Sequence, residues 1–291
     1  MLRNKTMIPV VIIHEEYQQY LEINIQITGR NNKIFLIGNK SVKSLEKYPN
    51  VTYVDIQKYL NRDKYKDYDS SFVNYGNYER HFSWFTFIRT IIINDFMEDY
   101  SFDQVFSCDS DNILLQDINN YNYTKKNALC IPTEWDPFYY ATSVHAALLS
   151  KSFCHEYEKM FQDIFVNKTR LEIAQPKIDY HKDHPGSISD MAFYHYLNKL
   201  GICEMDNLLE PKEINGNEFV FIQNFANGEG PHSKNQYKVN RHGLKIKKNN
   251  YLQTNTIFDM DSKKSLNLYN IHFQGKKKRY LNKKLLTKLN F

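Results

Sequence analysis

The chain has 291 residues, with 38 Lys and Arg against 33 Asp and Glu, a net charge of +5 and 42% hydrophobic residues. That balance is ordinary for a globular protein long enough for a substantial core, and the charge is too small for a dedicated nucleic-acid binder. No run reaches the roughly 18 consecutive apolar residues of a membrane span, no signal peptide is visible, and four scattered cysteines without a CxxC pair suit free thiols better than zinc, so a cytoplasmic location is expected.

IPVVII (8–13) is rich in β-branched residues and predicts a buried strand. The next stretch, HEEYQQYLEINIQITGR, places Tyr17, Tyr20, Leu21, Ile23 and Ile27 at roughly helical spacing, with Gly29 where a helix should stop. KIFLIGNK (33–40) predicts a second strand, SVKSLEKY a short helix, and VTYVDI (51–56) a third strand. Such alternation predicts a parallel sheet with helices on its faces. Ligands bind such sheets beyond the carboxyl ends of the strands, here at His14, Gly38, Asn39 and Asp55.

Residues 57–80 are polar and rich in Tyr, Asp and Lys, and predict a loop or loosely packed excursion. HFSWFTFIRTIIINDFME (81–98) is apolar, without Gly or Pro, and predicts a helix carrying Arg89. FDQVFSCDSDN follows as a fourth strand, running out at Asp109, Ser110 and Asp111. Further on, ALCIPTE predicts a strand and SVHAALLSKSFCHEYEKMFQDIFVN a strand or turn leading into a helix. HPGSISDMAFYHYLNKLG reads as a loop feeding a helix with Ser187 or Ser189 as N-cap. FVFIQNF, YLQTNTIFDMD and LYNIHFQG are the later strand candidates.

Two carboxylates at a strand end need a partner. On a strand, residues two apart share a face, so Asp109 and Asp111 are placed to reach one divalent cation, with Mg²⁺ and Mn²⁺ the ions that suit carboxylate oxygens. The plainer alternative is an exposed turn whose carboxylates cap backbone amides. NIHFQGKKK (270–278) adds His272, a borderline ligand suited to Mn²⁺. It also adds Gly275, which permits close approach of backbone to phosphate, and Lys276, Lys277 and Lys278 as point charges for a diphosphate.

Asp-Ser-Asp at a strand end followed by a late His-x-x-Gly-x-x-Lys resembles the metal-dependent nucleotide-sugar glycosyltransferases of the GT-A fold, nearest to glycosyltransferase family 8 and its relatives. The resemblance implies an α/β fold with a GT-A-like, Rossmann-type mixed sheet and helices on both faces. It implies a single catalytic domain: a nucleotide-binding half (1–117), an acceptor-side half (118–274) and a basic tail (275–291). Asp109, Asp111 and His272 would hold Mn²⁺ or Mg²⁺, and Ser110, Gly275 and Lys278 would meet the donor. Arg89 would lie near nucleotide and donor sugar, Asp190 at the sugar as the catalytic carboxylate, and His14, Gly38, Asn39 and Asp55 would frame the nucleotide. The donor implied is a UDP-sugar, and the acceptor a glycan, a lipid-linked sugar or a protein. Two positions depart from the family pattern: Met191 stands where Gln often follows the Asp, and Arg279-Tyr280 where Pro-Trp often follows the late Lys. The stereochemical outcome is therefore open.

Other readings exist. A phosphohydrolase or nucleotidyltransferase also uses paired Asp residues, but would need more carboxylates or an N-terminal Gly-rich loop, and IIHEEYQ has none. A non-catalytic sugar-nucleotide or glycan binder would share the motifs. The tail GKKKRYLNKKLLTKLNF carries seven Lys or Arg and no acid, with Leu281, Leu285, Leu286 and Leu289 at helical spacing. It suits peripheral contact with an anionic membrane surface, or a solvated helix packed on the domain.

Overall fold

The N-terminal apolar runs form parallel neighbours in a computed structural model that describes residues 7–76, 78–132, 138, 142–184, 186, 188–222, 256–259, 264–273, 275, 278 and 281–282. In chain order, β1 (Val10–Ile13) leads to α1 (Gln19–Thr28), β2 (Ile34–Gly38), a 3-10 segment at Lys40–Lys47, and β3 (Val51–Asp55). Then come α2 (Gln57–Leu60), α3 (Asp63–Ser71), α4 (Arg80–Asp99), β4 (Gln104–Cys108) and β5 (Asn112–Leu114). The chain continues through β6 (Ala128–Cys130), β7 (Ser143–Ser150), α5 (Lys151–Phe161) with a π segment at Gln162–Val166, α6 (Leu171–Asp183) and α7 (Asp190–Lys199). The remaining strands are β8 (Asp206–Asn207), β9 (Lys212–Ile214), β10 (Asn217–Val220), β11 (Thr256–Asp259), β12 (Lys264–Leu268) and β13 (Asn270–His272).

The main sheet has seven strands in the order β3-β2-β1-β4-β7-β6-β8. β3, β2, β1 and β4 run parallel, whereas β7 is antiparallel to both β4 and β6. Side-chain alternation divides the core between the two faces. Val11, Ile13, Phe35 and Ile37 pack with residues of α4, α5 and α7. Val10, Ile12, Ile34 and Leu36 pack with α1 and with Ile271 of β13. Strands covered on both faces have no polar side, which is why IPVVII and IFLIG read as unbroken apolar runs.

Residues 57–80 are a correction: they hold two helices rather than a loop. Tyr59, Tyr65, Tyr68 and Phe72 are buried against the core of the α4 face. Their charged neighbours are satisfied in a network in which Lys64 bridges Asp95 of α4 and Glu158 of α5, and the Tyr68 hydroxyl donates to Glu158 at 2.9 Å. Tyrosine supplied the apolar face under a polar composition. Helix α6 lies where no element was expected, with Pro176 inside it. Ser189 does stand at the N-cap of α7, but its side chain makes no capping bond, and Ser187 lies outside the described residues. The four cysteines are separate, buried thiols. Among the described residues no helix is long and apolar enough to cross a membrane. Leu281 is buried in the core of the α1 face and is unavailable to a membrane surface; Leu285, Leu286, Leu289, Lys276 and Lys277 lie outside the described residues.

Candidate functional site

Asp-Ser-Asp does not prolong β4 as a strand. The Asn112 amide donates to the Asp109 carbonyl at 3.0 Å, closing a turn between β4 and β5, while the Asp109 amide donates to the His145 carbonyl of β7 at 2.9 Å. What joins the motif halves is the antiparallel pairing of β5 with β13, in which His272 lies opposite Asn112. The Phe273 amide donates to the Asp111 carbonyl at 2.9 Å, and His272 Nε2 comes 3.3 Å from Asp111 Oδ1. Ligand atoms of Asp109, Asp111 and His272 all lie within 4.8 Å of one another. Bonds of about 2.1 Å put opposite ligands of one ion at most about 4.2 Å apart, so a small inward shift brings all three onto Mg²⁺ or Mn²⁺. Two carboxylate oxygens and one imidazole nitrogen suit those ions chemically.

Each candidate carboxylate already has a cation beside it. Arg89 Nη1 donates to Asp109 at 2.8 Å and Nη2 to Asp190 at 3.1 Å. Lys278 Nζ lies 3.1 Å from Asp111 Oδ2 and 5.1 Å above the Tyr20 ring. Burial opposes ionisation of Asp111, but the His272 imidazole and the Lys278 ammonium outweigh it and hold the carboxyl well below its usual range. Burial also opposes the charge of Arg89, and Asp109 and Asp190 outweigh it to raise its pKa. For Asp190 burial prevails, raising the pKa although Arg89 partly offsets it.

His14, just past β1, belongs to the same group of charges. Burial, then the Lys278 charge, lower its pKa to about 4 against the opposing pull of Asp111 and Asp109, so the ring is neutral. It meets Tyr20 edge-on at 5.7 Å. Gly38 has a clear structural role: a Cβ there would sit 2.2 Å from the His14 carbonyl and 2.7 Å from Val42. The Asn39 amide donates to the Glu15 carbonyl at 3.0 Å, beside His14. Asp55 makes a local contact, accepting from the Gln57 amide at 3.0 Å where α2 begins. Ser110 is buried within the turn. Gly275, three residues past His272, has a φ of +59°, a conformation that favours glycine.

Sequence reasoning missed the residues that hold this arrangement. Asn24, fully buried on α1, donates through Nδ2 to the carbonyls of Ser110 at 3.0 Å and Asn112 at 2.8 Å. Asn112 in turn donates to the His145 carbonyl at 2.6 Å and accepts from Asn270 at 2.8 Å. One chain of buried amides thus ties α1, the carboxylate turn and the His272 strand together. His145 stacks on His272 with centroids 4.4 Å apart and planes 12° from parallel, and its Nδ1 is 2.8 Å from Ser143 Oγ. Burial and the neighbouring His272 push the pKa of His145 well down. The one signal available in the sequence was an asparagine amid the apolar residues of LEINIQI.

No protein-family model matches the sequence, and no curated protein does. Among solved structures, mouse xyloside xylosyltransferase 1 in its apo form aligns with a TM-score of 0.50 and 11% identity, over 70% of this chain and 85% of that one. The PaToxG glycosyltransferase aligns at 0.39 and 11% identity, over 67% and 70%. A glycosyltransferase involved in glycosylation of the major capsid of PBCV-1 aligns at 0.32 and 12%, over 54% and 66%. The likeness to the mouse protein is one of fold: a central mixed sheet flanked by helices, of GT-A-like type.

Proposed function

We propose that this chain is a nucleotide-sugar-dependent glycosyltransferase, a hexosyltransferase that uses Mn²⁺ or Mg²⁺ held by Asp109, Asp111 and His272. The observation that carries the reading is the convergence of those three ligands from two separate sequence motifs, with ligand atoms within 4.8 Å of one another and Lys278 at 3.1 Å from Asp111. The GT-A-like fold supports it. An accidental acidic turn has no reason to recruit a buried histidine from a strand more than a hundred residues away, and a lysine six residues beyond that histidine.

A bound ion would supply Lewis-acid and charge stabilisation at a diphosphate leaving group. The chain's own residues do the rest. Lys278 offers an ammonium at the position where negative charge grows, and the backbone turn at Gly275 lets a phosphate approach closely. Arg89 fixes Asp109 and Asp190 relative to one another, so the metal-side and sugar-side carboxylates share one guanidinium. Asp190, with its raised pKa, orients the donor sugar or accepts the proton of the acceptor hydroxyl. His14 is neutral and offers a hydrogen bond rather than a charge to the nucleotide. The donor proposed is a UDP-sugar, and the acceptor a glycan, a lipid-linked sugar or a protein.

Calorimetric titration of UDP into the protein tests the reading. Binding that requires Mn²⁺ in the wild type and is lost in Asp111→Ala supports it; UDP binding indifferent to Mn²⁺, or none at all, contradicts it.

A further inference from the structure

Helix α4 is buried on most sides. Ser83, Trp84, Phe87, Ile88 and the whole run Thr90–Met97 are buried. Between its exposed ends, α4 keeps one stripe of accessible surface: exposed Phe82, then half-buried Phe85 and Thr86, then half-buried Arg89. Spacings of three, four and seven residues place these on one face of the helix, and Phe82 precedes Arg89 by about 10.5 Å along the axis. The far end of the stripe is Arg89, which holds Asp109 and Asp190. Its near end is a pair of exposed aromatics: Phe82 is 56% and Tyr78 59% accessible, with ring centroids 5.9 Å apart.

Single exposed aromatics are common and need no function. Here two touch each other, and the helix face that starts at Phe82 continues through half-buried Phe85 and Thr86 to Arg89 at the candidate reacting centre. The stripe is also edged with polar groups. His81 stacks on Phe85 at 6.1 Å and bonds Glu15 at 3.1 Å, next to His14. Arg80 pairs with Asp69 at 2.6 Å.

We propose that Tyr78, just before α4, and the face of α4 from Phe82 to Arg89 form a subsite for a saccharide acceptor. The inference rests on the glycosyltransferase reading and deepens it by naming the acceptor class. A sugar ring presents an apolar C–H face and a rim of hydroxyls. Exposed aromatic faces, which carry negative charge density, suit the first, and His81, Glu15 and Thr86 suit the second. A lipid surface would call for a broader apolar patch with cations about it; here the flanking Arg80 is already paired with Asp69. The length of the stripe is the reach of a short oligosaccharide, whose terminal hydroxyl would arrive where Arg89 holds Asp190.

Saturation-transfer NMR with maltose, lactose, cellobiose, xylobiose and chitobiose as probes tests this, using the full chain with Mn²⁺ and UDP. The expected result is binding of at least one disaccharide, weakened about tenfold in a Tyr78→Ala/Phe82→Ala double variant and kept in Phe82→Trp, which preserves the aromatic face. Both positions are exposed, and thermal unfolding of the variants establishes that they fold. Saccharide binding that is unchanged in the double variant overturns the proposal. So does co-sedimentation with phosphatidylglycerol vesicles that is lost in the same variant, which assigns the stripe to a lipid surface. A wild-type protein that binds no saccharide yet releases nucleotide from a UDP-sugar overturns the subsite and leaves the donor reading standing. Neither binding nor release removes both.

Discussion

Arg89 donates to Asp109 at 2.8 Å and to Asp190 at 3.1 Å, joining the carboxylate turn after β4 to the first residue of α7. Removing the guanidinium leaves two acids close together without their shared counter-charge. Arg89→Ala should therefore lower stability by up to about 3–5 kcal/mol, the cost of breaking a fully buried ion pair from one side, because Asp190 is buried while Arg89 and Asp109 are half-buried. Denaturant titration measures this. Arg89→Lys, which can face only one carboxylate well, should recover part of the loss.

Metal affinity should depend on the imidazole that backs the ligand set as well as on the ligands. Asp111→Asn should weaken Mn²⁺ binding, followed by electron paramagnetic resonance of the free ion, by at least about tenfold. His145→Ala, which removes the ring stacked 4.4 Å from His272, should cost about 10–100-fold. His145→Phe keeps a flat ring there and should lose less. Equal affinities in all four proteins would remove the metal assignment.

His14 makes stability depend on pH. Its folded pKa of about 4 lies below the ordinary 6.5. Between those values the unfolded chain binds a proton that the folded protein does not. Stability should therefore rise with pH through this window, be complete above 6.5, and be lost as pH falls to 4. The difference corresponds to about 3 kcal/mol as an upper value. Unfolding measured in EDTA across the window should show the slope in the wild type and a flatter one in His14→Asn.

Gly38 ends a strand at the edge where a nucleotide is expected, and the backbone supplies a second reason for a glycine there. A methyl group there would lie 2.2 Å from the His14 carbonyl. Gly38→Ala should destabilise the protein by about 1–3 kcal/mol, as overpacking does, whether or not nucleotide is present. A variant of unchanged stability that has lost only nucleotide binding would contradict the structural role.

Elements whose burial pattern follows from local composition were readable in the sequence. Val10–Ile13, Ile34–Gly38 and Gln104–Cys108 form buried strands because both their faces are covered, and α4 because an apolar run of its length without Gly or Pro has no other outlet. Asp109, Asp111 and His272 were readable as a spacing, but their meeting depends on β5 pairing with β13, a contact across some 160 positions that no local pattern encodes. The helices within 57–80 were hidden because tyrosines do the packing there and lysines and acids neutralise one another out of sequence order. Asn24, Asn112 and Asn270 were invisible for a related reason. Their value lies in partners on other elements, and a buried asparagine looks like any other until those partners are in place.

Release of nucleotide from a nucleotide sugar tests the central claim most directly. The protein would be incubated with UDP-, GDP- and dTDP-sugars, with Mn²⁺ and with EDTA, alongside Asp111→Ala. Slow Mn²⁺-dependent release from a UDP-sugar, absent in EDTA and in the variant, is the predicted result. Release that persists in Asp111→Ala, or none from any donor, would contradict the assignment of Asp109, Asp111 and His272 to a metal that works on a diphosphate.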